Sequence, residues 1–508
     1  MFPRCSDSDN KGKSNLSIAL LGNRIHGDQT LMEYLIEFLL VFTSAKGIKP
    51  TSGKMQFHTK EQIESGKLPF YVDTRVALRR FVFYDRSKQD SRSLMDTAAQ
   101  KHMLTLLSNQ AEESEDIALI HDLLLSYATI TRNRGWYAQA LMPVSAELVL
   151  TDMQGIKKRQ KASKHFDPVE DLGNSDLIDY EFDFDKHNFL ARGGQILYLH
   201  LLQPLANNPT LDEAYRTRLE ALLTHMLTCS GREIDQLASH IQKTWEDSRT
   251  DKDSSKAYEP KPFNMGYIQD NYAVRGERFL KEVTCFLSNE IHPITRIELL
   301  AQGMVFSLLR IIHILAYQEA SDSNGEPLWI MDVSGMGGTS NIARLSADSY
   351  HRAMDDFQTA LVKLSETNIP ESDRFKKVQD GRKESSDIFR KLGKEIKLII
   401  PPRGDYERFS LSESLIRYLV LALIEPAHKV TLDTFLNRLY DNFRIVIGPE
   451  QYRRALAENK TLEIRDMGDY FQTNVQEFQS FLKSCGFLRD LSDATAIVEN
   501  PYKEVQIS

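Results

Sequence analysis

The last hundred residues constrain the fold of this chain more than any other stretch. Residues 411–424 and 431–442 repeat apolar side chains at helical spacing, and residues 474–484 do so again before an extended pair around Asp493. Helix, helix, helix, hairpin is the order of a winged-helix module. Residues 409–508 are therefore expected to form a winged-helix-like domain, with residues 443–471 as an insertion before its third helix.

At 508 residues the chain exceeds what a single core usually serves, so about two to four domains are expected. The reading is mainly α with small β elements. Residues 1–14 form a disordered N-terminus and 15–155 an N-terminal helical domain with a short β element. Residues 156–178 are a charged linker or loop, and 179–400 a central helical domain interrupted by the loop 247–262. A net charge of −8 leaves no global basic field, so any nucleic-acid contact has to come from a local patch. Cys5, Cys229, Cys285 and Cys485 lie far apart without a CxxC pair, which argues against a zinc site or a disulfide framework and for a reducing compartment. The polar N-terminus lacks the apolar core of a signal peptide, and the apolar runs 31–42 and 304–316 are too short to span a bilayer. A cytoplasmic protein with no membrane contact is expected.

In the N-terminal region Thr30 precedes a broad apolar face, with Glu33 in capping-box position. Residues 70–84 mix aromatics with Arg75, Arg79 and Arg80, and Arg86 follows. Their period does not decide between strand and helix, and they offer one nucleic-acid contact, against a half-buried element with paired arginines. Asp179, Glu181, Asp183, Asp185 and His187 alternate with Tyr180, Phe182 and Phe184, a strand with one acidic and one aromatic face. Asp183, Asp185 and His187 are the candidate catalytic set of a metal-dependent nuclease. Successive residues on one strand face stand about 6–7 Å apart, however, so an acidic edge strand explains the pattern as well.

Gly193-Gly194 opens a helix, where bare amides can hold an anion and where tight packing is the simpler cause. His313 sits on an apolar helix as a packed core histidine. The short strand 328–333 runs into a glycine-rich loop, in which Gly335, Gly337, Gly338, Thr339 and Ser340 are the candidate anion-binding residues of a nucleotide-binding module. No lysine precedes Thr339, and Ser340 takes the third glycine position of GxGxxG, so neither phosphate fingerprint is met.

Residues 371–397 read as one basic helix carrying Arg374, Lys376, Lys377, Arg382, Lys383, Arg390 and Lys391, the candidate DNA-binding cations, with a solvated helix face as the simpler alternative. The third helix of the C-terminal domain adds Gln476, Gln479 and Lys483, with Asn474 and Ser480 in the same polar set. With one cation on that helix, the electrostatic part of DNA affinity is thin, and protein docking is the stronger role for the module.

The segments LGNR…EYLIEFLLVF, RRFVFYDR, FLARGGQILYLHLL and FLNRLYDNFRIVIG together resemble uncharacterised accessory subunits of prokaryotic anti-phage defence and restriction operons. The resemblance implies a protein working beside an ATPase, helicase or nuclease of the same operon, and it carries over no catalytic residue. The leading expectation is a non-enzymatic accessory or scaffolding subunit with no cofactor, docking such a partner and contacting DNA. The metal-dependent nuclease and the nucleotide-binding module are the alternatives.

Overall fold

Helices carry nearly all of the interior. The computed structural model of the chain describes residues 2–3, 15–25, 30–47, 53–66, 68–72, 75–83, 94–111, 113–128, 140–150, 192–229, 232–248, 265–268, 273–333, 340–404, 406–458, 468–492 and 495–507. In chain order come α1 (Leu16–Leu21), α2 (Leu31–Thr43), α3 (Lys60–Glu64), α4 (Val76–Phe83), α5 (Leu94–Ser108) and α6 (Ser114–Leu125). Next are α7 (Gly193–Asn207), α8 (Pro209–Thr228), α9 (Arg232–Ser248), α10 (Ala273–Leu287) and α11 (Pro293–Ser321). The third run is β1 (Trp329–Ile330), α12 (Asn341–Asn368), α13 (Glu371–Lys383), α14 (Ser386–Glu395), β2 (Ile399–Ile400) and β3 (Arg408–Phe409). The chain closes with α15 (Glu413–Leu423), β4 (Lys429–Thr431), α16 (Leu432–Phe443), β5 (Ile445–Val446), α17 (Pro449–Glu458), α18 (Gly468–Ser484), β6 (Leu488–Ser492) and β7 (Thr495–Glu499).

Local sequence accounts for where α2 starts and stops. The Glu33 carboxylate accepts the Thr30 N–H at 2.5 Å and the Thr30 hydroxyl at 2.9 Å, taking up an amide that the first turn leaves unpaired. At the far end the Lys46 ammonium donates to the carbonyls of Val41, Phe42 and Ser44 at 2.6, 2.8 and 2.6 Å, in the place where a cation complements the helix dipole. Ten residues of α2 in a row, Glu33 to Phe42, are buried, so it is a core helix on all sides. Among the described residues, α11 alone is long and apolar enough to cross a membrane by length and composition. Of its most apolar window 94% is buried inside the fold, where α2, α7, α10, α12, α14 and α15 pack on it.

Among the described residues the strands form three small sheets. β1 and β5 pair in parallel, with Trp329 opposite Ile445, and β2 pairs antiparallel with β3. β4, β7 and β6 form an antiparallel sheet in that order, with β6 and β7 as consecutive strands. Ser412 and Thr431 accept amide N–H groups of the first turns of α15 and α16, which is why those helices start where they do. The packing continues across residues 400–409. α15 lies on α10 and α11, where a Cβ at Gly303 would come 2.1 Å from the Tyr418 ring, so the glycine is the notch that lets the two helices meet. One apolar cluster runs from Leu16 to Val505, and a smaller one joins Ile330, Ile342 and Leu345 to Tyr440, Tyr452 and Phe471.

Several elements differ from their sequence reading. The arginine- and aromatic-rich stretch contains the helix α4, with Tyr71 just before it bridged to Ala45. The single basic helix is two helices, broken at Glu384–Ser385, where both residues leave helical geometry. The insertion at 443–471 carries its own structure, β5 and α17. The linker 156–178, the acidic strand with Asp183, Asp185 and His187, residues 249–262, and Gly335, Gly337, Gly338 and Thr339 lie outside the described residues. Ser340 is described, and its hydroxyl accepts the Ala343 N–H at 3.2 Å as the N-cap of α12.

Candidate functional site

The basic helices sort the seven candidate cations by what already holds them. The Arg374 guanidinium turns back along its own chain, donating to the carbonyls of Glu366 and Ile369 at 3.2 Å each, so it closes the end of α12. Arg390 is bound to Glu407, with Nη2 at 2.5 Å and Nε at 2.7 Å; Lys394 reaches the same carboxylate, and the Tyr350 hydroxyl donates to it at 2.7 Å. Burial works against ionising Glu407, but these three donors outweigh it and bring its pKa down to about 2. Arg390 therefore ties α14 to the segment before β3. Lys383 stands 3.5 Å from Asp380 at the surface, a contact worth a few tenths of a kcal/mol. Lys376, Arg382, Lys383 and Lys391 are exposed, and Lys377 is half-buried.

Beside the exposed cations stands a residue that charge counting passes over. Phe375 is 79% exposed on α13. Residues 375, 379 and 382 follow one another at helical spacing, and 376 and 383 flank them, so Phe375, Lys376, Gln379, Arg382 and Lys383 share one face. That face carries three cations, with exposed Glu371 one turn before Phe375 and Asp380 beside Lys383 at its border. Val378 and Gly381, on the side turned to the body, are buried. A Cβ at Gly381 would come 2.9 Å from Leu361 and 3.3 Å from Leu16, so the helix is seated closely on the body.

On α18, Gln476 and Lys483 are exposed and Gln479 is half-buried, all three on one face. Asn474 does not join them. It is fully buried, accepting the Val333 N–H at 2.9 Å and donating to the carbonyls of Met331 and Ile447 at 3.0 and 2.9 Å. The residue fastens α18 to the chain after β1 and after β5, and cannot read a base. A polar residue on the buried face of an amphipathic helix was the available signal.

At two other stretches the structural alternative to an anion contact fits. In α4, Arg79, Phe81 and Phe83 are buried, and Arg75 is held by Glu147 at 3.1 Å and its carbonyl at 2.7 Å, so these side chains serve the interior. At Gly193-Gly194 the helix N-terminus already holds a carboxyl group. Glu37 of α2 accepts the Arg192 N–H at 2.8 Å and the Gly194 N–H at 2.6 Å. A Cβ at Gly194 would lie 2.4 Å from the Tyr34 carbonyl oxygen, which explains the glycine by packing.

A cleft of about 550 Å³ opens between α11, residues 322–328, α12, α16 and α17. His313 lies at its floor, fully buried. The Trp329 indole donates to its Nδ1 at 2.7 Å, which leaves the proton on Nε2, and Nε2 donates to Asp356 at 3.1 Å. Burial lowers the His313 pKa, so the imidazole is neutral with both nitrogens committed and cannot act as a base. Glu326 on the rim is held by Arg278 at 2.7 Å and Arg310 at 3.5 Å, while Glu458 takes the Tyr440 hydroxyl and Arg444, each at 2.9 Å. Arg310 is fully buried, lies 4.8 Å over the Trp329 ring, and is lowered by burial to about 9. Among the described residues no group of three or more histidine, cysteine or carboxylate side chains is arranged to hold a metal ion.

No family model matches the chain, and neither does any curated protein or solved structure.

Proposed function

We propose that this chain is a non-enzymatic accessory or scaffolding subunit of a prokaryotic DNA-targeting complex, of the anti-phage defence or restriction kind that its sequence resembles. It works in the cytoplasm, docks an ATPase, helicase or nuclease encoded beside it, and contacts DNA through the outer face of α13. The observation that carries this reading is Phe375, 79% exposed on a face with Lys376, Arg382 and Lys383. Leaving a phenylalanine in water forgoes about 1.5–3 kcal/mol of burial, and an apolar ring framed by cations fits an anionic, ring-bearing partner.

The C-terminal residues are read as the winged-helix-like module that holds the protein partner. The order α15, β4, α16, α18, β6, β7 with the sheet order β4-β7-β6 supports that reading, with β5 and α17 inserted. Its third helix presents Gln476, Gln479 and Lys483 and turns Asn474 inward, which favours a docking surface over a base reader.

Two measurements test the proposal. Affinity purification of the chain from its native host should bring down the product of a neighbouring gene. A labelled DNA should bind at about 50 mM salt, with affinity falling as salt rises; replacing Lys376, Arg382 and Lys383 together by alanine should reduce the logarithmic salt slope by about two to three. No neighbour co-purifying and no DNA bound at low salt would end the proposal.

A further inference from the structure

We infer that the nucleic acid met by α13 is single-stranded, and that Phe375 is a stacking platform for an unpaired base. The inference rests on the reading of that face as a DNA contact and goes beyond it by naming the form of the strand.

The argument starts from what each partner could offer the ring. A duplex presents phosphates and sugars outward and keeps its base faces stacked inside. It would meet Lys376, Arg382 and Lys383 but give an exposed phenyl ring no π-face to rest on. A single strand offers both, since its bases turn out and every base has a face that stacks on an aromatic side chain. The spacing on α13 suits such a strand. Phe375 and Arg382 stand seven residues apart, about 10 Å along the helix at 1.5 Å per residue. Lys376 adjoins the ring, and Lys383 follows Arg382 on the same face. A base over Phe375 therefore has a cation close to it and two more about two turns away, where the backbone runs on. Gln379 lies between them, with an amide that can both donate to and accept from a base edge.

The platform is also held still. Val378 and Gly381 seat α13 against the body, and Arg374 spends its guanidinium on the carbonyls that end α12. A ring carried on a seated helix loses little freedom when a base settles on it, so the stacking contact is not cancelled by ordering the platform. Arg390 and Lys394 do not compete for the strand, because both are bound to Glu407.

The test uses the full chain and fluorescence anisotropy with a labelled 20-nucleotide oligothymidine and a 20-base-pair duplex, at about 50 mM salt. The single strand should bind more tightly than the duplex. Phe375→Ala should weaken the single strand by about 5- to 150-fold, the size one base–ring stack carries, and leave the duplex unchanged. Phe375→Leu, which keeps an apolar side chain without a π-face, should be nearly as weak as alanine, whereas Phe375→Trp should retain or strengthen binding. Because Phe375 is exposed, none of these changes removes a core contact, and circular dichroism of each variant checks the fold. If leucine restores wild-type affinity, or if Phe375→Ala weakens duplex and single strand alike, the stacking inference is overturned while the DNA contact stands. If neither DNA binds, both fall. If Phe375→Ala abolishes capture of the protein partner in nuclease-treated extract and leaves DNA binding intact, the ring is a protein contact and the inference is again overturned.

Discussion

Replacing Glu37 by glutamine should remove a pH dependence of stability whose size and sign follow from the position of the carboxyl. Its two oxygens accept the Arg192 and Gly194 N–H groups at 2.8 and 2.6 Å, in the interior between α2 and α7. Burial raises its pKa from 4.5 to about 7, against the opposing pull of those amides and of the Arg192 charge. In the unfolded chain the group returns to its ordinary value. Between pH 4.5 and about 7 the folded protein therefore keeps a proton that the unfolded chain has released. The stabilisation is complete below the unfolded pKa and is lost as pH rises through the folded one. A separation from 4.5 to about 7 corresponds to about 3 kcal/mol. Lys46, at the end of the same helix, has the opposite sign. Burial lowers its pKa from 10.5 to about 7, so its contribution is present above pH 10.5 and lost as pH falls through 7. The two windows meet without overlapping, so the two groups act on stability in different pH ranges. Urea unfolding midpoints, followed by circular dichroism from pH 5 to 10, read this directly. His58 and His200, lowered by burial to about 3, give the opposite slope on the acid side in both proteins, so the difference isolates the carboxyl. The advantage of wild type over Glu37→Gln should shrink as pH rises from 5 to 7 and stay constant above. Parallel curves for the two proteins below pH 7 would refute the reasoning.

The packing yields three further expectations. Gly303→Ala should cost about 1–3 kcal/mol, seen as a lower thermal midpoint, because its Cβ would meet the Tyr418 ring; an unchanged midpoint would show that α15 does not dock there. Asn474→Ala leaves the buried Val333 N–H and the carbonyls of Met331 and Ile447 unpaired, and should cost about 3 kcal/mol by the same measurement. Arg275 and Glu282 form a buried bidentate pair at 2.7 and 2.6 Å. Glu282→Ala should therefore cost about 3–5 kcal/mol by stranding the guanidinium, and Arg275→Met with Glu282→Leu should recover most of that loss.

Much of the local architecture was legible in the chain and little of its long-range wiring. Thr30 with Glu33 marks a helix start by side-chain chemistry that acts within three residues, and the helices expected from 411 and 431 start at 413 and 432, each capped by the residue before it. The mainly α character follows from the same short-range signals. The Gly193-Gly194 turn was visible as a helix start, but the group it holds is the Glu37 carboxyl, more than 150 positions upstream, and no local pattern names it. β1 and β5 are two residues each and pair across more than a hundred residues, too short a run for any periodicity to reveal. The basic stretch 371–397 shows why composition misleads at a surface: the cation count was right, but Arg390 answers to Glu407 and Arg374 to two carbonyls, partners fixed only by tertiary packing.

That sorting decides what α13 can do. Were all the cations of 371–397 exposed alike, the natural expectation would be a nonspecific electrostatic contact, equally content with duplex, single strand or an acidic protein. Once Arg374, Arg390 and Lys394 are assigned to structure, the face that remains is narrower and no longer defined by charge alone. Its centre is an apolar ring, flanked by Lys376, Arg382 and Lys383. Coulomb attraction to a phosphate backbone does not need a phenylalanine, and a hydrophobic protein interface does not need three cations around its anchor. A strand with its bases turned outward uses both, and this makes the Phe375→Leu comparison more telling than removing any single charge. It separates ring from bulk at constant charge, on a helix whose seating the substitution leaves untouched.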